Sequence, residues 1–231
     1  MAGTMGHPLD NPVYASLTGV HAGFARTRGR AVRYQGEVSP FAALPDQPGA
    51  QDWADAAALI GPGEAAAFPA LGAPPPPDWE LLWQGEGVQL VAATLDAKPD
   101  DEAVPLGPAD VPDMLSLTER TKPGPFFSRT IELGRYLGIR RDGELVAMAG
   151  ERFRPPGWTE ISAVCTDPAW RGHGLASRLT LAVAAGIIAR GDTPFLHAIA
   201  TNTAIRLYQE LGFTFRREVT FPLLQPPAAA S

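Results

Sequence analysis

A glycine-rich turn that opens directly into a helical pattern is the feature of this sequence that most constrains its fold. Gly172 and Gly174 stand between a strand-like run over 159–166 and a run over 174–189 whose apolar residues recur at helical spacing. Glycine lets the main chain approach a ligand closely, and the free N–H groups and dipole of a first helical turn favour negative charge. The turn therefore predicts an anion site, suited to a pyrophosphate, where this strand passes into this helix. An ordinary helix-initiating turn is the alternative.

Length and composition describe a globular chain with one large domain or two small ones. The sequence has 231 residues, of which 45% are hydrophobic and 19% are charged, enough to bury a substantial core. Its start lacks the basic segment followed by an apolar one that marks a secretory leader, and no run has the length of a membrane span. The single cysteine, Cys165, and four scattered histidines offer no disulfide and no metal-ligand spacing. We therefore expect a cytoplasmic protein without a membrane segment or a bound metal.

Charge is distributed unevenly along the chain. Residues 1–115 hold 5 basic and 15 acidic side chains, whereas residues 116–231 hold 14 basic and 10 acidic ones. The second half is therefore better suited to an anion, although two solvated surfaces of different composition would show the same asymmetry. The net charge of -6 argues against nucleic acid as a partner, because such binding depends on neutralising phosphates with Lys and Arg.

Four consecutive prolines, 74–77, form the strongest break in the chain, because they can continue neither a helix nor a central strand. We predict an N-terminal domain over 1–85 and a second domain over 86–231. In the second, Asp142-Gly143 between two apolar runs predicts a β-hairpin of strands 137–140 and 145–152. The other predicted helices cover 11–24, 51–60, a segment from within 107–110 to about 121, 174–189 and 204–211, and the other predicted strands cover 30–35, 64–69, 79–83, 88–94, 159–166, 194–200 and 213–221.

Two phosphate-binding folds compete for the glycine-rich turn. A Walker loop is excluded, because the chain contains no Gly-x-x-x-x-Gly-Lys-Ser/Thr. A dinucleotide-binding fingerprint would place a third glycine where Ser177 stands and an acidic residue at the end of the next strand, whereas Asp192 precedes that strand. A hairpin before its first strand is also foreign to that fold. The dinucleotide-binding interpretation therefore fails on three counts.

Two short motifs follow one another in the second half of the chain. The run 171–176 reads Arg-Gly-His-Gly-Leu-Ala after a strand, and the run 207–213 reads Leu-Tyr-Gln-Glu-Leu-Gly-Phe. In this order and at this spacing they resemble the Arg/Gln-x-x-Gly-x-Gly/Ala turn and the Leu-Tyr-x-x-Leu-Gly-Phe helix end of the GNAT superfamily of acyl-CoA-dependent N-acetyltransferases. The resemblance spans roughly 86–231 and implies the GNAT fold, an α/β (α+β) fold with a mixed, mostly antiparallel twisted sheet flanked by helices. It leaves open that residues 1–85 form a second, reduced GNAT-like half.

The resemblance also implies a site for acetyl-CoA as co-substrate. Main-chain groups of Val164 and Thr166 would face its acetyl and pantetheine portions, and the N–H of Val164 would polarise the thioester carbonyl. Asn202 would line the other side of the cofactor, although it stands six residues before Tyr208 and the family's asparagine usually stands seven before. The residues whose main chain would wrap the pyrophosphate are Arg171, Gly172, His173, Gly174, Leu175, Ala176 and Ser177.

Acyl transfer from a thioester to an amine needs a proton acceptor for the amine and a proton donor for the departing thiolate. Glu160 is the candidate base, because it shares strand parity with Val164 and so should project beside the thioester. Tyr208 is the candidate acid by analogy with the family. Two alternatives stay open: Glu160 as a solvent-facing carboxylate, and Tyr208 as a tyrosine packed on the sheet. Cys165 has the opposite parity to Val164, so we expect it in the core and not as a nucleophile.

The activity implied by the resemblance is transfer of the acetyl group of acetyl-CoA directly to a primary amine of an unidentified small molecule or protein. Residues 1–85 carry no chemical motif, and we expect them to shape the acceptor site. The alternative from a different class is a non-catalytic acyl-CoA-binding sensor or assembly module. A homodimer is compatible with both, and neither nucleic acid nor a membrane is expected as a partner.

Overall fold

An eight-stranded sheet forms the centre of the protein. The computed structural model describes residues 6–228. The first five residues, part of the start that lacks the pattern of a secretory leader, lie outside the described residues. All neighbouring strands of this sheet run antiparallel except one pair, which is the mixed, mostly antiparallel arrangement that the family resemblance implies. In their order across the sheet, the strands are β4 (Ala66–Ala67), β11 (Phe213–Gln225), β5 (Glu80–Ala92), β10 (Thr193–Ile199), β9 (Trp158–Thr166), β8 (Glu144–Glu151), β7 (Tyr136–Arg141) and β6 (Val104–Leu106).

Helices pack against this sheet, and a small second sheet lies in the N-terminal part of the chain. Helix α4 packs on the central strands through Leu175, Leu179, Val183 and Ile187, the four apolar residues that recur at helical spacing in the sequence. The helices are α1 (Pro12–Leu17), α2 (Ala50–Ile60), α3 (Val111–Thr121), α4 (Leu175–Ala189) and α5 (Ala204–Glu210), and the second sheet consists of β1 (Ala25–Arg28), β2 (Ala31–Tyr34) and β3 (Ala42–Ala43). Among residues 6–228, no helix combines the length and the apolar character that crossing a membrane takes.

The predicted hairpin is present at the predicted turn. Strands β7 and β8 pair up to Arg141 and Glu144, and the two residues between them have positive φ, 50° at Asp142 and 85° at Gly143. Such a turn matches the right-handed twist of the flanking strands, which is why Asp-Gly favours it. Local turn chemistry therefore determines this part of the sheet.

Several predicted boundaries are wrong, chiefly before residue 95. The two strands predicted at 79–83 and 88–94 are one strand, Glu80–Ala92, because β5 pairs with β11 along nearly its whole length. The helix predicted over 11–24 ends at Leu17, and the chain then turns into β1. The first change comes from tertiary pairing, which overrides local propensity, and the second from a local turn in which the N–H of Gly19 donates to the carbonyl of Ser16.

The N-terminal part of the chain packs directly on the large sheet. Leu9 and Val13 share a buried cluster with Phe153 and Phe195 of the second half, and β4 adds an edge strand beside β11. The predicted boundary at residue 85 falls within β5. The division into domains over 1–85 and 86–231 stays a prediction, but the two parts share one sheet and one core cluster.

Candidate active site

Two central strands separate from each other and open a cleft in the sheet. β9 and β10 are parallel neighbours only where 158–160 face 193–195. Beyond that point β10 stays paired with β5 and β9 stays paired with β8, so the main chain of 161–166 lacks a strand partner on its cleft side among the described residues. The gap holds a cavity of about 980 Å³, a size typical of small-molecule sites.

A β-bulge interrupts β9 beside this cleft. The three residue steps from Ser162 to Cys165 span what two steps cover in β8, and Ala163 within this stretch has a φ of 52°. The extra residue reverses the alternation of side chains along the strand. The parity argument that placed Glu160 and Val164 on the same side is therefore wrong.

The turn between β9 and α4 presents a row of main-chain donors. Gly172 and Gly174 have φ of 82° and 71°, and the space that a Cβ would occupy is open at both. Within residues 6–228, the N–H groups of 172–177 donate to no hydrogen-bond acceptor. N–H groups at the head of a helix of 15 residues, reinforced by its dipole, are suited to hold an anion.

Thr166 places a buried hydroxyl in the wall of the cleft. Its Oγ1 is shielded from solvent, and no described residue forms a hydrogen bond with it. A buried polar group without a partner costs about 1–3 kcal/mol, so such groups in native proteins call for an explanation. A polar ligand in the cleft would supply the missing partner.

Tyr208, on α5, lines the same cleft. Burial raises the pKa of its phenol to about 12, with a further contribution from Cys165 nearby. Its ring packs edge-on against Phe213, and within the described part of the chain no side chain or main-chain group hydrogen-bonds its hydroxyl. The phenol therefore stays protonated at neutral pH and is available as a proton donor in the cleft.

The cleft brings together most of the predicted site residues. Asn202 lines it and lies just before α5, where its Oδ1 accepts the N–H of Ala204 at 2.9 Å. His173 does not line it, because its ring folds back onto the turn, with Nδ1 3.0 Å from the carbonyl oxygen of Arg171. The other predicted residues in its lining are Val164, Thr166, Arg171, Gly172, Gly174, Leu175, Ala176, Ser177 and Tyr208.

Glu160 lies behind the wall of the cleft and not in it. Its carboxylate is fully buried and accepts hydrogen bonds from Nε and Nη2 of Arg152, both at 2.7 Å, and from Nδ1 of His197 at 2.7 Å. Burial raises the pKa of this carboxyl, but Arg152 and His197 lower it by more, to about 2. A carboxylate with so low a pKa is a poor proton acceptor, so this geometry conflicts with the base role predicted for Glu160.

His197 connects this ion pair with the N-terminal part of the chain. Its Nε2 lies 2.9 Å from the amide nitrogen of Gln89, which also donates to the carbonyl of Leu9, while the amide oxygen of Gln89 accepts from Arg216. Because the Gln89 nitrogen donates, we assign the imidazole proton to Nδ1, facing Glu160. The side chain of His197 is thus satisfied on both nitrogens.

The rings of Phe41, Trp83, Phe221 and His197 line one end of the cleft together with the guanidinium of Arg152. We call these five residues the aromatic end. The guanidinium of Arg152 lies 5.2 Å from the ring centre of Phe41, and the imidazole of His197 meets Phe221 edge-on at 5.8 Å. Phe41 comes from the N-terminal part of the chain; a role of residues 1–85 in shaping the acceptor site stays a prediction.

Two glycines in β5 make room for these rings. A Cβ on Gly85 would collide with the ring of Trp83, and a Cβ on Gly87 would stand 2.6 Å from the ring of Phe221. The sequence interpretation did not identify these aromatic residues, Arg152 or His197 as part of a site. Glycine inside a strand marks a close approach of other atoms, so Gly85 and Gly87 were the signal that could have found the aromatic end.

The charge of the cleft has one sign. Among the described residues that line it, the cationic side chains are Lys122, Arg152 and Arg171, and none is Asp or Glu. The carboxylates of Asp100 and Glu102, which the sequence places in an acidic run, instead pair with Arg178 on α4. The described lining of the cleft therefore offers donors to anions and no counter-charge to cations.

Comparison with known families gives a match over a segment that includes much of the lining of this cleft. Residues 136–221 match the family described as FR47-like protein. The match includes β9, the glycine-rich turn, α4 and Tyr208.

Comparison with known proteins extends the similarity to nearly the whole chain. A protein from Novosphingobium aromaticivorans, assigned to the GNAT family of acetyltransferases, is 40% identical, and the match covers 96% of this chain and 100% of that one with a TM-score of 0.87. The GCN5-related N-acetyltransferase of Kribbella flavida is 16% identical and shares the fold, with a TM-score of 0.63 over 94% of this chain and 96% of that one. An uncharacterized protein of Mycobacterium leprae is 32% identical over 157 residues, or 59% of this chain, and the match spans only 42% of that protein's length.

Proposed function

This chain belongs to the GNAT family of acetyltransferases and is an acyltransferase, and from that premise we propose that it transfers the acetyl group of acetyl-CoA directly to a primary amine. The observation that carries the proposal is the row of N–H groups over 172–177, at the head of α4, that have no acceptor within residues 6–228. A pyrophosphate matches such a row in charge and in hydrogen-bonding capacity.

The rest of the cleft suits the pantetheine arm and the thioester of acetyl-CoA. The buried Thr166 hydroxyl, which has no partner among the described residues, is available to a polar group of the pantetheine arm. Val164 lies at the bulge of β9, where the main chain of 161–166 is free of β10 and can face the thioester. We assign the N–H of Val164 to the thioester oxygen, as an oxyanion donor, and Asn202 to the opposite wall.

The transfer itself needs one proton donor from the chain. The amine nitrogen forms a bond to the acetyl carbon, the carbon–sulfur bond breaks, and CoA leaves as a thiol with the proton of the Tyr208 hydroxyl. The proton that the nitrogen loses passes to solvent water, from which Tyr208 is reprotonated. We assign that proton to water because no carboxylate among the described residues faces the cleft and Glu160 is held by Arg152.

A calorimetric experiment tests the donor site. Gly174→Trp fills the space that is open above the turn, and we expect acetyl-CoA to bind at least about 100-fold more weakly. Gly63→Trp is the matched control, because Gly63 also has positive φ (75°) and open space but lies outside the cleft. Equal affinity in Gly174→Trp and the control would refute the site.

Release of free thiol separates a transferase from an acyl-CoA-binding sensor. The enzyme is incubated with acetyl-CoA and a panel of amines, and thiol is followed above the hydrolysis background. Amine-dependent release supports the proposal, whereas tight acetyl-CoA binding without turnover of any amine would favour the sensor.

The proposal includes a cytoplasmic location, in keeping with a single, buried and unpaired cysteine, Cys165.

A further inference from the structure

The aromatic end of the cleft constrains the acceptor through its charge. An amine with a second cationic group would bring that group into a cleft whose described lining has no carboxylate to pair with it. A charge taken from water without a partner is costly, so such acceptors are disfavoured. An apolar group meets no such cost, and an anionic group can pair with a cationic side chain of the lining, Lys122, Arg152 or Arg171.

Arg152 offers a hydrogen-bond donor that the protein itself does not use. Its Nε and Nη2 bind Glu160, whereas its Nη1 donates to no described residue. The guanidinium lies over the rings of Phe41 and Phe153, at 5.2 and 4.6 Å, and its side chain is 13% exposed. A guanidinium held on one edge by a carboxylate and on its faces by aromatic rings is fixed in orientation, and its open edge is suited to a second carboxylate.

The rings beside Arg152 provide an apolar surface next to this donor. Phe41 and Phe221 line the aromatic end, and Trp83, folded over Gly85, leaves 54% of its surface exposed. An exposed tryptophan at the rim of a cleft is a surface on which an apolar or aromatic group can pack.

We propose that the acceptor is an amino carboxylate with an apolar or aromatic side chain, such as a hydrophobic amino acid. Its carboxylate binds Nη1 of Arg152, its side chain packs on Phe41, Trp83 and Phe221, and its amine points along the cleft towards the thioester. The amine nitrogen is acetylated with loss of one proton to water, and CoA leaves as the thiol. This inference rests on the proposed function and names its substrate class.

Matched acceptors test it on the unmodified enzyme. We compare kcat/KM for L-phenylalanine, for phenethylamine, which lacks only the carboxylate, for L-phenylalaninamide, which keeps a neutral carbonyl, and for the diamine putrescine. We expect L-phenylalanine to exceed each of the others by about 10- to 100-fold, the effect of a charge-assisted hydrogen bond. Phenethylamine, the amide or putrescine turning over as well as L-phenylalanine would overturn the inference and leave the proposed function intact. Absence of turnover with every amine would instead overturn the proposed function.

A charge-balanced variant connects the preference to Arg152. Arg152→Met combined with Glu160→Gln removes both members of the ion pair, so no buried charge is left alone. We expect the ratio of kcat/KM between L-phenylalanine and phenethylamine to fall to near one, with the Kd of acetyl-CoA unchanged. Arg26→Met is the control, because Arg26 is exposed on β1 outside the cleft and should leave the ratio as it is. A ratio unchanged in a folded double variant would refute Arg152 as the carboxylate site, and the acceptor comparison on the unmodified enzyme decides the substrate class if the double variant does not fold.

Discussion

Replacement of Glu160 by glutamine separates a buried ion pair from a catalytic base. The exchange preserves size and burial but leaves Arg152 without the carboxylate that its Nε and Nη2 bind. The pKa of Glu160, lowered from 4.5 to about 2, corresponds to roughly 3 kcal/mol in favour of the folded state. Loss of one partner from a buried pair typically costs about 3–5 kcal/mol. We expect the free energy of unfolding at pH 7 to fall by about 3 kcal/mol.

The same pair has a defined dependence on pH. Because the pKa of Glu160 is lower in the folded than in the unfolded protein, its stabilising contribution is complete above about pH 4.5 and is lost as pH falls towards 2. The unmodified protein should therefore lose stability more steeply than Glu160→Gln between pH 5 and pH 3. Urea unfolding followed by the fluorescence of the five tryptophans measures both quantities. Glu144→Gln, which changes an exposed carboxylate of β8, is the control.

Two results would refute this reasoning. One is a loss of less than about 0.5 kcal/mol at pH 7, the range of an ordinary surface substitution. The other is kinetic, because a base role for Glu160 predicts that Glu160→Gln is slow near neutral pH and recovers as the amine deprotonates without help. An ion pair that only positions Arg152 and His197 predicts a ratio of variant to unmodified kcat/KM that stays constant from pH 6 to 10. Recovery of the ratio at high pH would return the base role to Glu160.

Three further predictions concern the chemistry of the cleft. Tyr208→Phe should lower kcat by about 100-fold with little change in acetyl-CoA affinity. Steady-state kinetics measures the loss, with Tyr14→Phe, which lies outside the cleft, as the control. Undiminished turnover would mean that water, and not Tyr208, protonates the departing thiolate. Thr166→Val should weaken acetyl-CoA binding by about 10-fold in calorimetry while stabilising the free protein, because the substitution removes a buried hydroxyl without a partner among the described residues. Since water accepts the amine proton, log kcat/KM should rise with pH up to the pKa of the acceptor amine itself; a plateau at a lower pH, common to all acceptors, would reveal a base in the protein.

The sequence predicts those parts of the site that local chemistry determines. The turn over 171–177 and the Asp142-Gly143 hairpin each need glycine where φ is positive, and a glycine requirement is visible in one sequence. Tyr208 is found because its motif extends over neighbouring residues of one helix end. In each of these cases the signal and the structure span the same few residues.

The face of a strand on which a side chain lies was less predictable, and Glu160 on β9 shows why. A bulge inserts one residue without any composition that distinguishes it, since Ala163 with φ of 52° is the kind of residue that sequence rules place elsewhere. Side-chain alternation on either side of a bulge follows different phases, so a prediction carried across it reverses. The error over Glu160 and Val164 arose at that one residue.

The two ends of the cleft differ in the same physical respect. The end at the turn is built mostly from main-chain donors of consecutive residues, which any sequence with the right glycines presents. The aromatic end is built from side chains of distant segments, with Phe41 before the large sheet, Trp83 in β5, Arg152 after β8 and Phe221 in β11. A cofactor that a whole family shares, such as acetyl-CoA, can be bound by main-chain groups of one turn. An acceptor that is particular to one protein needs a site of specific side chains from distant segments. Arg152 has two roles in this account. Its ion pair lowers the basicity of Glu160, and Glu160 in turn holds the guanidinium in the orientation in which it can bind the carboxylate of the acceptor. Substitutions of Arg152 and Glu160 therefore test both the mechanism and the choice of acceptor.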